Sequence, residues 1–404
     1  MPLNRPPKRV QDSEVPATTA GRWMTHEHLP GLLVLAALLA GFTAANSAFA
    51  PVYWRIHHMP VHMGIGVLAF REPLVEFINS GLMALFFLQI SLELKRELAV
   101  GPLAHPRTAA MPLLAAIGGM AAPALISVAI NVVDPAGLHG WAIPTATDTV
   151  LALGVLSLLG RRVPPALKVF LLALAVFDDI GAVLIIGLFY SGPASAWALA
   201  AAAVAAAGLL LLGRMRIARP APYVLLGLAL WAALGRAGIE PALAGVVVGA
   251  CFARRGRQPG SGSPAFALEQ RLRPWVGFGV VPLFTFFNAG VPVSGGALAG
   301  LLQPVGLGVV AGLVLGKPMG IVGAAWLAEK AGLAHRPGGV SWGHLCGAAA
   351  LAGIGFTMSL FIGTLAFGQT AELENVRLAV LAGSAISALA GVAVLWASTR
   401  GRPG

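Results

Sequence analysis

The segment ALAVFDDIGAVLIIG, residues 173–187, places two adjacent carboxylates, Asp178 and Asp179, inside an otherwise apolar run. The run extends over residues 165–190, which is long enough for a helix to cross a hydrocarbon core of about 30 Å. An acidic side chain at the bilayer centre costs about 2.5 to 3.5 kcal/mol on insertion scales, so it persists where it faces a cavity or a partner. The segment therefore predicts a membrane helix that carries a functional site.

The composition of the whole chain indicates that the bilayer is its solvent. The 404 residues are 57% hydrophobic and 11% charged, with a mean hydropathy of +0.81, whereas soluble domains carry about 25% charged residues. The formal net charge is +11, but the basic residues are scattered between apolar segments, so we expect no nucleic-acid partner. Cys251 and Cys346 lack metal-ligand spacing and are interpreted as packing residues.

Twelve apolar segments predict a polytopic all-α membrane domain over residues 29–397, between cytoplasmic tails at 1–28 and 398–404. Ala48-Phe49-Ala50 imitates a signal-peptide cleavage site, but the long preceding tail and Pro51 favour a first spanning helix. The segments lie near residues 29–50, 73–94, 108–132, 141–160, 165–190, 193–212, 221–236, 239–253, 275–296, 303–328, 342–367 and 375–397.

The distribution of lysine and arginine predicts the topology. With a cytoplasmic N-terminus, 22 of the 27 basic residues fall on the inside, four fall outside, and Lys317 lies within a span. Both termini are therefore expected in the cytoplasm. The outward loop 51–70 is predicted to form a small hairpin, with solvated rather than metal-binding histidines, and the basic loop 254–274 divides the chain into halves.

Four charged residues lie within predicted spans: Asp148, Asp178, Asp179 and Lys317. One structural salt bridge accounts for two of them and leaves two carboxylates unexplained, which favours function. Adjacent helical residues project about 100° apart, so Asp178 and Asp179 can flank one cavity. Two nearby carboxylates cannot both ionise cheaply in a low dielectric, and their oxygens are hard ligands for small cations. A site that holds either a cation or protons is what exchange transport requires.

Two spans are interrupted by residues that weaken a helix. Residues 142–149 (AIPTATDT) contain Pro144 and three threonines, and residues 353–357 (GIGFT) contain Gly353 and Gly355. Broken helices are tolerated at membrane depth where they line a cavity. Close packing at small residues is the alternative for the glycines. Paired interruptions in two halves point to a binding site between inverted repeats.

At these motifs the chain resembles the NhaA sodium/proton antiporters. The resemblance runs in order from about residue 29 to 397. It rests on FFL at residues 86–88, LELKREL at 92–98, ATD at 146–148, FDDIG at 177–181, GKPMG at 316–320 and GIGFTMS at 353–359.

The resemblance implies an inner-membrane fold with inverted-topology repeats and two broken helices crossing near the midplane. It implies that Asp178 and Asp179 exchange sodium or lithium for protons, with Asp148 and Thr147 at the crossing and Lys317 paired with Asp178 in the empty site. Members exchange two protons per sodium, support sodium and pH homeostasis, and are usually homodimers. No cofactor and no enzyme activity are expected.

In relatives a cytoplasmic cluster corresponding to Glu93, Arg96, Glu97 and Glu269 belongs to the region that senses pH. For the first three residues, an ordinary solvated helix end is an equal alternative. The chain departs from well-known relatives at four positions, which puts the pH profile in doubt and leaves exchange standing. Glu240, Gln270 and Arg273 stand where those relatives have histidine, and Ser80 stands at a usually acidic position.

Three other functions are alternatives to sodium/proton exchange. A potassium/proton antiporter is the nearest alternative, because hard oxygen ligands do not choose between alkali cations. An intramembrane aspartyl protease needs two aspartates from separate helices that share a proton, and this would leave Lys317 unexplained. A passive cation channel would favour rings of carbonyls or carboxylates, which the sequence does not show.

Overall fold

The computed structural model describes residues 28–63, 70–192, 195–253, 263–292, 297–368 and 370–399. The predicted tail 1–28 lies outside these ranges except for its last residue, and so do residues 400–404 of the C-terminal tail.

The first half of the chain is helical, apart from one short pair of strands. Several helices begin with proline at their first positions, where its missing N–H costs nothing. The elements are α1 (His28–Ala45), α2 (Ala50–His57), β1 (Pro60–Met63), β2 (Phe70–Pro73), α3 (Leu74–Val100), α4 (Pro106–Asn131), α5 (Pro135–Leu138), α6 (Thr149–Leu158), α7 (Pro165–Phe189), α8 (Ala196–Arg214), α9 (Pro220–Arg236) and α10 (Leu243–Cys251).

The second half is helical and contains two π-helical turns, Val276–Val280 and Gly312–Gly316, which join successive helices without a loop. Such turns widen a helix locally and often occur at functional sites. The helices are α11 (Pro264–Trp275), α12 (Val281–Asn288), α13 (Ala297–Leu301), α14 (Pro304–Ala311), α15 (Lys317–Lys330), α16 (Trp342–Ala352), α17 (Phe356–Phe367) and α18 (Ala371–Thr399).

Length and composition indicate a multi-pass membrane protein. Six described helical stretches are long and apolar enough to span a bilayer, and up to nine if each of three bent pairs forms one span. The predicted segments near 221–236, 239–253 and 275–296 coincide with helices too short to count on this basis. The total of twelve spans stays a prediction.

Both predicted interruptions are real breaks. The chain bends by 47° between Pro135–Thr145 and Thr149–Leu158, and by 42° between Trp342–Ala352 and Phe356–Phe367. The main hydrophobic core packs around these breaks and includes Ile143, Ala146 and Phe356. The core therefore holds the two irregular segments in place.

The prediction of a first span over residues 29–50 was wrong at its end. Helix α1 stops at Ala45, and α2 departs at 109°. The side-chain amide of Asn46 donates from Nδ2 to the Phe42 and Val291 carbonyls. This fixes the turn, and Pro51 then starts the new helix.

The predicted hairpin at 51–70 is present but begins later in the chain. Residues 50–57 are helical, and the two strands are Pro60–Met63 and Phe70–Pro73. The strands pair antiparallel, with Pro60 opposite Pro73 and Met63 opposite Phe70. The second half of the predicted loop 254–274 forms α11, and residues 254–262 lie outside the described ranges.

Helices α4 and α15 pack closely through glycine. A Cβ atom on Gly320 would lie 2.0 Å from the Gly118 carbonyl oxygen, and one on Gly118 would lie 2.3 Å from the Gly320 carbonyl oxygen. Neither position has room for a side chain. Because Gly320 lies one turn after Lys317, this contact fixes the depth at which the lysine enters the core.

We expect Gly320→Val to push α15 away from α4 and to destabilise the protein by on the order of 1 to 3 kcal/mol, the usual cost of overpacking. Thermal unfolding of the purified protein in detergent measures the effect as a lower Tm. Gly323→Val is the matched control on the same helix, because a Cβ there meets no atom within 4 Å. Equal Tm values for the two variants would contradict the close packing.

Candidate functional site: a buried carboxylate cluster at two broken helices

The break before α6 exposes backbone carbonyls in the interior. Ile143–Thr145 forms a single 3₁₀ turn that contains Pro144, and Ala146 is extended with φ −89° and ψ 153°. Side chains from the second half of the chain donate to the carbonyls of this turn. Ser359 Oγ lies 2.6 Å from the Ile143 carbonyl oxygen.

The break between α16 and α17 needs glycine because the chain passes close to its neighbours. A Cβ on Gly353 would lie 2.4 Å from the Leu313 carbonyl oxygen, and one on Gly355 would lie 2.9 Å from a Leu313 side-chain carbon. The φ angles of Gly353 and Gly355 are −69° and −91°, so backbone conformation does not demand glycine here.

The two breaks are joined directly. The Asp148 amide donates to the Ile354 carbonyl at 2.6 Å, and Thr147 Oγ lies 2.8 Å from the Ala352 carbonyl oxygen. The predicted broken-helix segments, with Pro144, Gly353 and Gly355, are therefore brought together by hydrogen bonds between halves of the chain.

Asp148 links the starts of two helices through one buried carboxylate. Its Oδ1 accepts from the Leu151 amide at 3.0 Å, and its Oδ2 accepts from the Thr357 amide at 3.1 Å and the Thr357 hydroxyl at 2.7 Å. The first residues of a helix carry partial positive charge on unpaired amides. One negative charge thus stabilises the N-termini of both α6 and α17.

Lys317 enters the cluster from the opposite helix. Its Nζ lies 2.8 Å from Asp178 Oδ2, and both side chains are completely buried. The same ammonium donates to the Thr145 carbonyl at the end of the 3₁₀ turn. Lys317 directly follows the π-helical turn Gly312–Gly316, so it occupies a position where the regular helix ladder is altered.

Thr147 completes the surroundings of Asp178. Its Oγ lies 2.7 Å from Asp178 Oδ2, the oxygen that also receives Lys317. The other oxygen, Asp178 Oδ1, is buried and has no hydrogen-bond partner among the described residues. A buried acceptor without a partner is costly, so Oδ1 is able to accept a further contact.

Asp179 has different surroundings from Asp178. It forms no hydrogen bond or ion pair with any described residue, and it keeps 6% of its surface exposed, against 1% for Asp178. It is near enough to Glu93 for their charges to interact. The adjacent carboxylates are therefore unequal. Asp178 is bound by an ammonium, and Asp179 is open, by which we mean that it has no hydrogen-bond or ion-pair partner among the described residues.

The predicted cytoplasmic cluster is assembled around Arg96. Its Nε lies 3.1 Å from Glu269 Oε1, and its Nη2 lies 2.6 Å from Glu97 Oε1 and 3.7 Å from Glu93 Oε1. These ion pairs tie the end of α3 to α11. The structure thus brings all four predicted residues together, although the role in pH sensing stays a prediction.

Glu269 lies on α11, which is not among the apolar spanning helices. Burial raises the pKa of its carboxyl, and the Arg96 charge and hydrogen bond together with Arg273 oppose that shift. The Arg96 contact is therefore strongest when Glu269 is ionised, and acidification through the Glu269 pKa weakens it.

The positions that replace histidine are dispersed. Gln270 and Arg273 are exposed on α11. Glu240 is half-buried in the turn between α9 and α10, where its Oε1 accepts from the Ala242 amide at 3.0 Å. Burial raises the pKa of Glu240 to about 7, helped by Glu72 and opposed by the Ala242 hydrogen bond. A titrating group near neutral pH is thus retained at this position without histidine.

Sequence reasoning missed Thr357 as a site residue, although the motif that contains it was recognised. A threonine directly after the Gly-Ile-Gly-Phe break was the available signal. It also missed Ser384, whose Oγ accepts from the Phe356 amide at 3.3 Å. Ser384 lies in an ordinary apolar helix, where nothing in the sequence marks it.

Known proteins are similar to this chain over most of its length. A family model described as "Na+/H+ antiporter 1" matches residues 21–395. This match covers both broken helices, the carboxylate pair and Lys317.

Curated relatives match over almost their whole length. A protein of Pseudomonas fluorescens (strain Pf-5) named "Na(+)/H(+) antiporter NhaA" is 46% identical over 385 residues, covering 95% of this chain and 97% of its own. A Magnetococcus marinus protein named "Na(+)/H(+) antiporter NhaA 1" is 45% identical, covering 93% and 98%. A Pseudomonas syringae pv. tomato protein named "Na(+)/H(+) antiporter NhaA 2" is 47% identical, covering 96% and 98%.

We expect Arg96→Gln to move the pH dependence of transport to higher pH. Removing the Arg96 charge removes the largest of the effects that oppose burial, so the pKa of Glu269 rises further and the carboxyl ionises only at higher pH. Half-maximal activity in everted vesicles, measured over a pH series, reports the shift. Exposed Arg271 on the same helix provides the control Arg271→Gln. An unchanged profile in Arg96→Gln would show that the cluster only holds the helices together.

Proposed function

The chain belongs to the Na+/H+ antiporter 1 family, and on this premise we propose that it exchanges sodium or lithium ions for protons across the bacterial inner membrane. The observation that carries the proposal is the unequal pair, in which Asp178 is bound to Lys317 and Asp179 is open. The named relatives support the choice of sodium over potassium.

The proposed mechanism is competition for the carboxylate pair. In the sodium-free state Asp178 is ionised against Lys317, and Asp179 holds a proton because two adjacent buried carboxylates do not both ionise cheaply. Sodium needs several oxygen ligands at once. The free Asp178 Oδ1 and the open Asp179 carboxylate supply hard oxygens on the same helix. Binding of the cation then requires the Asp179 proton to leave.

The charge balance follows from Lys317. When sodium neutralises Asp178, the ammonium loses its counter-charge in a fully buried position, which is costly. Release of the Lys317 proton removes that cost. One proton from Asp179 and one from Lys317 then exchange for one sodium, so the cycle moves net charge.

The Thr147 hydroxyl and Asp148 support this cycle in different ways. The Thr147 oxygen touches Asp178 and can turn toward a cation. Both carboxylate oxygens of Asp148 accept hydrogen bonds at helix N-termini. We therefore propose that Asp148 stabilises the helix crossing. In the proposed cycle, a rocking movement of the two halves around this crossing would expose the site alternately to each side.

The arrangement argues against proteolysis. An aspartyl protease needs two carboxylates that share a proton. Asp148 and Asp178 have no mutual hydrogen bond, since the described partners of Asp148 are amides and a hydroxyl, and those of Asp178 are Lys317 and Thr147.

Further features rest on the family alone. We infer an inner-membrane homodimer with both termini in the cytoplasm, which supports sodium and pH homeostasis.

We expect Asp179→Asn to abolish exchange, because asparagine keeps the shape and loses the titratable charge. Everted vesicles loaded with a ΔpH dye report dequenching on addition of sodium, lithium or potassium. The control Asp134→Asn alters a carboxylate that caps α5 outside the site and should behave like the wild type. Sodium-driven proton movement at the wild-type rate in a folded Asp179→Asn protein would show that Asp179 is not part of the exchange site. Dequenching by potassium alone would redirect the proposal to potassium/proton exchange.

We expect Lys317→Gln to reduce the charge moved per sodium, because the variant keeps the sodium ligands and lacks the second proton. The membrane potential generated by a sodium gradient in proteoliposomes, normalised to sodium flux, measures this loss. Lys168→Gln, near the start of α7 and away from the carboxylates, is the control. A wild-type potential per sodium in Lys317→Gln would make the lysine structural.

A further inference from the structure

Helix α2 forms a second polar and apolar cluster away from the carboxylate site. It packs against the C-terminal end of α12, where Tyr53 Oη lies 3.0 Å from the Phe286 carbonyl oxygen and 2.9 Å from that of Phe287. The tyrosine thus stabilises the last carbonyls of α12 and fixes α2 across the helix end. The antiport mechanism uses none of these contacts.

Arg377 of α18 faces this cluster with an incomplete set of partners. The residue is 4% exposed, and its Nε and Nη2 are buried with no hydrogen-bond partner among the described residues. Its charge interacts with Tyr53 and with Glu374, but Glu374 is exposed and makes no ion pair with it. A buried guanidinium with unsatisfied donors is costly, so an acceptor from outside the described residues would stabilise it.

His57 adds a second incomplete donor. It is 1% exposed, so the prediction of solvated histidines in residues 51–70 is wrong for His57. The Phe287 backbone lies close to the ring, but neither ring nitrogen is within hydrogen-bonding geometry of any described residue. Its charge would interact with that of Arg377, so the two side chains lie in the same neighbourhood. Arg377 offers only donors and a neutral imidazole offers one N–H, so one acceptor placed between the two side chains would satisfy both.

Tyr53 also lines an apolar cavity. Its volume is about 160 Å³, and it is lined by Ala44, Phe49, Val52, Tyr53, Phe286 and Phe287, with Ile56 at the same wall. The α2 side chains at this cavity are open to the surroundings, since Phe49 is 71% exposed and Val52 is 51% exposed. A wet surface would not favour these residues, whereas the edge of a hydrocarbon layer would.

We propose that this cluster binds a phospholipid, with its phosphodiester paired with Arg377 and His57 and an acyl chain in the cavity of α2 and α12. A phosphate oxyanion supplies the strong acceptors that the guanidinium lacks. The adjoining apolar cavity favours a lipid phosphate over a free anion, because a free anion would gain nothing from Phe49 and Val52. The phospholipid would therefore pin α2, α12 and α18 to one another.

Binding is tested on the purified, delipidated full-length protein by thermal unfolding against increasing phosphatidylglycerol. Diacylglycerol with the same acyl chains supplies the chain without phosphate, and inorganic phosphate supplies the anion without the chain. We expect stabilisation by phosphatidylglycerol only. Arg377→Gln should raise the half-saturating concentration by roughly tenfold or more, as expected for lost hydrogen bonds to a charged group. The control Arg55→Gln, exposed on α2, should not change it.

Each alternative outcome overturns the proposal. Equal stabilisation by inorganic phosphate would identify a free-anion site, and equal stabilisation by diacylglycerol would identify an apolar pocket alone. An unchanged half-saturating concentration in Arg377→Gln would show that Arg377 does not bind the phosphate. If Arg377→Gln does not fold, a photoreactive phosphatidylglycerol on the wild-type protein decides the question. Labelling should map to residues 44–57 and 286–287 and should be competed by unlabelled phosphatidylglycerol. Labelling elsewhere overturns the proposal.

Discussion

The buried ion pair between Asp178 and Lys317 is the constraint on which the site depends. Both side chains are completely buried, and the ammonium also donates to the Thr145 carbonyl. Removing one partner of such a pair leaves an uncompensated buried charge and typically destabilises a protein by about 3 to 5 kcal/mol. The pair therefore holds α7, α15 and the 3₁₀ turn in one arrangement while no cation is bound. A cation that replaces Lys317 changes the contacts of three elements at once.

The helix crossing provides the rigid frame for that exchange. Asp148 satisfies the N-termini of α6 and α17, and its own amide donates to the Ile354 carbonyl. Backbone groups freed by the breaks are thus paired inside the protein, as an apolar surrounding demands. Asp179 differs from Asp148 because no described residue donates a hydrogen bond to it, which is why we propose Asp179 as a cation ligand and Asp148 as a structural group.

The sequence predicted what hydropathy and residue chemistry determine locally. Charged residues in apolar runs identified Asp148, Asp178, Asp179 and Lys317, and proline and glycine marked both helix breaks. The partners could not be predicted in the same way, since Thr357 and Ser384 act through contacts between distant segments. The 109° turn after Ala45 was missed because Asn46 takes its second partner from Val291. Short helices such as α10, with nine residues, are too short to be recognised as spans by length alone.

Proton release on sodium binding tests the central claim most directly. Purified protein in weakly buffered detergent solution, with a pH-sensitive dye, receives sodium chloride, and choline chloride serves as the control for ionic strength. If sodium and protons compete for Asp178 and Asp179, protons appear in the medium with the same sodium dependence as binding measured by calorimetry. Release falls away at alkaline pH, where the site has already lost its proton. Saturable sodium binding with no proton release at any pH would contradict the account.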